Sequence, residues 1–73
     1  MKYLVAESKE AFDDPEFQDD LIEVEASSVE FAAIKEAEEN GADADFFTSW
    51  VKDPDGWVHK VDLEFIPGHY EAR

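Results

Sequence analysis

The 73-residue chain contains no cysteine, which excludes a disulfide staple, a zinc–thiolate centre and a thiol nucleophile. It has only six basic residues against 20 acidic ones. A nucleic-acid backbone is held by Lys and Arg that displace its counterions, and an anionic membrane surface attracts the same residues, so direct binding to either is not expected. No apolar run approaches the roughly 20 residues of a membrane span, and the first residues lack the charged-then-apolar plan of a leader peptide. With three glycines and three prolines, there is no glycine-rich loop to cradle a phosphate and no low-complexity segment. The expectation is one soluble, cytosolic domain spanning residues 1–73. A domain this small buries only about 60% of its unfolded surface, which leaves little depth for an active-site cleft.

What the chain does have is apolar and aromatic content, at 44% and 14%, too much for a disordered chain. Lys2–Ser8 alternates at the two-residue period of a strand, and so does Leu21–Ala26, with Ile22, Val24 and Ala26 on one side and Glu23 and Glu25 on the other. Between them lies a polar connection holding Phe12 and Phe17. In it, Asp14-Pro15 fits the N-cap and first position of a single helical turn. Ser27 and Glu30 have the spacing of a capping box, which predicts a helix over 28–40 with Gly41 as its left-handed cap. Val29, Ala33, Ile34 and Ala37 form the apolar stripe of that helix, with Phe31 at its margin.

The last third is rich in β-branched and aromatic residues. Ala44–Lys52 and Trp57–Ile66 read as strands joined by Asp53-Pro54-Asp55-Gly56, a type I turn closing into a bulge with a left-handed glycine. That turn sets Val51 opposite His59, Ser49 opposite Val61 and Phe47 opposite Leu63. Phe47, Val51, Trp57, Val61, Leu63 and Phe65 then face the core. Phe46, Thr48, Trp50, Lys60, Asp62 and Glu64 face away. Pro67-Gly68 is read as the end of the strand and His69–Arg73 as a tail. The order β-β-α-β-β predicts an α+β domain, a four-stranded antiparallel sheet with one helix on a face. An exposed edge strand in such a sheet can pair with a second copy, so a homodimer is one option.

No pairing of nucleophile and base is recognisable, and His59 reads as a sheet residue with one hydrogen-bond partner, so no catalytic residue is expected. The acids around Asp13–Asp20, and Asp43 with Asp45, do not match a calcium loop, so neither a metal nor a cofactor is expected.

The charge is unevenly spread. Residues 1–45 hold 15 acidic and three basic groups, a net −12, whereas residues 46–73 hold five and three, a net −2. Carboxylates at every second strand position stand about 6.6 Å apart on one face, comparable with the charge spacing of a nucleic-acid strand. A surface of this kind suits a cationic channel that normally holds DNA or RNA. A solvated face that keeps the domain soluble, or adaptation to high salt, accounts for the same count. The candidate partner-binding residues are Asp13, Asp14, Glu16, Asp19, Asp20, Glu23, Glu25, Glu36 and Glu39, with Trp50 as an aromatic anchor if it is exposed.

Small size, strong acidity, absence of cysteine and a helix-plus-sheet plan together resemble the small acidic inhibitors that phages and mobile elements make against host defence. These include anti-CRISPR and anti-restriction proteins and inhibitors of DNA-repair enzymes. The resemblance is one of overall character and carries no family residue over to this chain. It implies a non-enzymatic inhibitor, acting in the host cytoplasm on a basic nucleic-acid-binding protein such as a CRISPR effector or another defence nuclease. An immunity protein or antitoxin capping a basic toxin is the other reading of the same surface.

Overall fold

The strand periodicities are realised in a curled antiparallel sheet that carries one helix. The computed structural model describes residues 1–14, 16, 21–40 and 45–73. In chain order the elements are β1 (Lys2–Ala6), a single 3-10 turn (Lys9–Phe12), β2 (Ile22–Glu25), α1 (Val29–Asn40), β3 (Phe46–Lys52), β4 (Val58–Ile66) and β5 (His69–Ala72). The strands lie in the order β2-β1-β3-β4-β5, each antiparallel to its neighbours. The α+β class is as expected. The sheet has five strands rather than four.

The fifth strand is the residues 69–72 that were expected to be a tail. Pro67-Gly68 does not stop the chain but turns it, because Ile66 pairs with His69 across those two residues. Proline fixes φ at the second turn position, and Gly68 at the third has φ +101, the left-handed conformation that a type II turn requires. Tyr70 and Ala72 then pack against the core while His69 and Glu71 are exposed.

The β3–β4 hairpin has the expected register: Phe47 opposite Leu63, Ser49 opposite Val61, Val51 opposite His59. Its turn is closed by Gly56 N–H donating to the Asp53 carbonyl at 3.0 Å and Asp53 N–H donating to the Trp57 carbonyl at 2.9 Å, with Gly56 at φ +95. Two residues expected on the core face are not in the core. Trp57 precedes β4 and is 71% exposed, because the turn releases it before the strand begins. Phe65 does lie on that side of β4, but at the far end of the strand, where it is exposed and leans on Tyr70 with ring centroids 5.1 Å apart.

By the register, Tyr3 and Val5, Ile22 and Val24, Val51, Val61 and Leu63, and Tyr70 and Ala72 all share the face beneath α1. Ala32, Ala33 and Ala37 of α1 are completely buried there, flanked by the half-buried Val29 and Ile34. Three alanines let the helix backbone lie close to the sheet, where Leu63, Val5 and Val51 are the largest fully buried side chains. Burying each such side chain contributes about 1.5–3 kcal/mol. Phe31 points off the back of the helix, 60% exposed.

The helix starts one residue later than the capping-box spacing implied. Ala26 N–H still donates to the Met1 carbonyl at 3.0 Å, extending the sheet, so Ser27 is spent leaving it. Ser28 is the cap, its Oγ accepting from Phe31 N–H at 3.2 Å, and Glu30 falls at the second helical position, where no box with Ser27 forms. The 3-10 turn at Lys9–Phe12 is an element the sequence did not announce, whereas the turn expected after Asp14-Pro15 falls, Glu16 apart, outside the described residues, as do Phe17 and Gly41.

Candidate partner-binding surfaces

Strand direction decides where the charge goes. β1 runs toward Ala6, and antiparallel pairing brings the start of β3 and the turn between β4 and β5 to that same end of the sheet. Helix α1 begins after the opposite end of β2 and returns the chain to this end before β3. The segment after β1, with Glu7, Glu10, Asp13, Asp14 and Glu16, therefore shares one end of the molecule with Glu38 and Glu39 of the last helical turn and with Asp45. Lys9 is the basic residue among them.

The last turn of α1 contains no basic residue. The C-terminus of a helix carries about half a negative charge, so glutamates there are electrostatically opposed by the backbone itself. The sequence expectation included Glu39 but missed Glu38 and Asp45. The available signal was that both fall beside the predicted end of the helix.

Of the predicted residues, Asp13, Glu16 and Glu39 are exposed and Glu36 is half-buried on the helix. Asp14 is half-buried, and its Oδ1 accepts from Glu16 N–H at 3.0 Å, a local turn contact. Asp19 and Asp20 lie outside the described residues. Glu23 and Glu25 are on the face of the sheet away from the helix, and so is Trp50. One predicted set thus occupies two surfaces.

That outer face is a different electrostatic environment from the acidic end. Lys2 Nζ lies 3.4 Å from Glu23 Oε1, and the N-terminal ammonium lies 3.0 Å from Glu25 Oε1. The ammonium hydrogen bond holds the Glu25 carboxyl below its usual range. Arg73 pairs with Glu64, and Thr48 Oγ1 donates to Asp62 Oδ1 at 2.8 Å. Register places Lys2, Lys52, Lys60 and Arg73 on this face with Glu23, Glu25, Asp62, Glu64 and Glu71, a net −1. The fifteen acids outside those positions are opposed by two lysines, a net −13. Trp50 is half-buried in the middle of the face rather than prominent, whereas Phe46 at its upper edge is 57% exposed. The connection after β1 covers one part of this face, where Ala6 and Ala11 are buried outside the main core.

His59 has the single partner expected of it. Its Nε2 lies 2.8 Å from Asp53 Oδ2, while Asp53 Oδ1 accepts from Asp55 N–H at 3.0 Å and Trp57 N–H at 2.9 Å. The hydrogen bond with His59 is the main cause that holds the Asp53 carboxyl below its usual range; burial, the next largest effect, opposes it, and the Trp57 and Asp55 amides each add a smaller lowering. This cluster is turn chemistry: one carboxylate ties three successive features of the hairpin together.

Among the described residues no three His, Asp or Glu side chains converge as metal ligands, and no helix is long and apolar enough to cross a membrane. Compared with protein-family models, with curated proteins and with solved structures, the chain matches none. Its surfaces must be argued from their own geometry.

Proposed function

We propose that the chain is a non-enzymatic acidic inhibitor. Its acidic end docks on a positively charged nucleic-acid-binding protein, of the CRISPR-effector or other defence-nuclease kind, in place of the nucleic acid that protein holds, within the host cytoplasm. The observation that carries the reading is the placement of Glu38 and Glu39 in a helical turn without a basic residue, at the same end as Glu7, Glu10 and Asp13. Charge set against a helix dipole and against its own neighbours costs stability, and a surface kept at that cost has a use. Phosphate-binding Lys and Arg are the complementary chemistry, and the field of such an end steers it toward them before contact.

The first experiment is capture from a host lysate with the tagged full chain at low and high salt, followed by competition on the protein recovered. Recovery of a nucleic-acid-binding protein, lost as salt rises and displaced by DNA or RNA, is the expected result. A complex that neither DNA nor RNA can displace sinks the reading.

A further inference from the structure

We infer that the outer face of the sheet is a self-complementary surface on which two copies of the chain pair face to face. Three observations converge on it. The first is apolar. Leu4 pairs with Lys52 and Ala6 with Trp50, and Trp50 pairs with Lys60 while Lys52 pairs with Val58. Leu4, Trp50 and Val58 are therefore diagonal neighbours, half-buried, forming one patch beside the part of the face that the connection after β1 covers at Ala6, with the exposed Phe46 further along β3.

The second is charge. Among the described residues this face is near balance while the rest of the chain carries a net −13, so it is where two copies of a strongly acidic protein approach one another without the repulsion of their remaining surfaces. Lys52 and Lys60 make no ion pair among the described residues, although acids outnumber bases more than three to one.

The third is the arrangement. Lys52 and Lys60 stand with Lys2 toward one end of the sheet, where Glu23 and Glu25 leave a net +1, and Asp62, Glu64 and Glu71 stand with Arg73 toward the other, a net −2. A two-fold axis lying across the strands turns one copy end over end, so the lysine half of each face meets the carboxylate half of its partner. That is the isologous geometry a closed dimer requires. The edges are poorer candidates. Lys35 Nζ already donates to the outward Glu25 carbonyl on β2 at 3.1 Å, and β5 is only four residues long.

Five strands about 4.8 Å apart, with a longest common run of seven residues, bound the contact at roughly 500 Å² per copy. Such an area lies at the low end of specific interfaces, among the weak and transient ones, so the dimer is a weak one. Its salt response is opposite in sign to that of the acidic end. Salt screens the repulsion between two acidic bodies and strengthens the dimer, whereas it weakens a complex with a basic partner.

The test is sedimentation velocity on the full chain, from about 5 µM to 1 mM, at low salt and at about 0.5 M NaCl. It is joined by amide chemical shifts followed on dilution. The expected result is a monomer–dimer equilibrium strengthened by salt, with shifts confined to outer-face strand residues and about a tenfold loss of affinity in Phe46→Glu and in Lys60→Glu. Both substitutions are at exposed positions, so unchanged circular dichroism and thermal midpoint will confirm that the fold is kept. A monomer at every concentration and salt overturns the inference, as does a dimer indifferent to both substitutions or one whose shifts map to Tyr70 and Ala72 on the β5 edge. None of these results bears on the acidic end, whose partner is tested separately.

Discussion

Replacing Glu38 and Glu39 by lysine should stabilise the free protein while weakening its hold on a basic partner. Both lie in the last turn of α1, which has no basic residue. A cation in that position gains about 0.3–1 kcal/mol from the helix dipole at low ionic strength, so the pair is expected to contribute roughly 0.6–2 kcal/mol. For a domain of this size 1 kcal/mol moves the thermal midpoint by about 4–8 °C, which places the rise between about 2 and 16 °C. Thermal unfolding by circular dichroism at low salt reads it directly, and added salt should erode the gain. Part of any gain comes from lowering the net charge rather than from the helix end, and Glu30 separates the two. It sits in the first turn of the same helix, where an acid is favoured. Glu30→Lys and Glu38→Lys change the net charge equally but should shift the midpoint differently, with the Glu30 variant the lower. Equal shifts would refute the claim that charge is placed against the helix end. That result would also remove the main support for the acidic end as a binding surface.

Two further perturbations probe the scaffold. The Asp53 carboxyl is held below its usual range by His59 and two turn amides, so its contribution to stability is present above the unfolded value of 3.8 and lost as pH falls through the lower folded value. Asp53→Asn should therefore be less stable than the natural chain at neutral pH, and chemical denaturation repeated at falling pH should show the gap closing only in strong acid; a gap constant with pH contradicts this. Gly68→Ala places a side chain at φ +101 in the turn between β4 and β5. The strain of about 1 kcal/mol should appear first as faster amide exchange at Tyr70 and Ala72, and uniform protection of β5 would count against the turn assignment.

The parts of the fold that could be read from the chain were those set by local chemistry. Asp53-Pro54-Asp55-Gly56 dictates its own turn, and a fixed turn dictates register, so the cross-strand partners of Phe47, Ser49 and Val51 follow without knowledge of the rest. β5 was missed although its pattern was present: His69 and Glu71 outward, Tyr70 and Ala72 inward. Four residues after Pro-Gly carry too little periodicity to outweigh the stop signal. Ser27 and Ser28 compete for one cap, and only the pairing of Ala26 with Met1, a contact across 25 residues, decides between them. The candidate surface divides in the same way. The acid count was legible, but its partition into a crowded end and a balanced face depends on strand order. Glu23 and Glu25 read as free charges until register sets Leu4 and Lys2 opposite them.

The strand order has a consequence for how the molecule comes into being. β3, β4 and β5 form a meander whose turns are two to five residues long, so it closes from neighbours in sequence. β1, by contrast, lies between β2 and β3, and its contact with β3 joins Ala6 to Trp50 across 44 residues. Closing so long a loop costs chain entropy before the burial of Val5 against Val51 repays it. On a ribosome the N-terminal hairpin emerges first and must wait, its inner edge unpaired, until β3 has followed it out. The half of the chain made first carries most of the negative charge, and mutual repulsion between such nascent segments keeps that waiting edge from finding a neighbour.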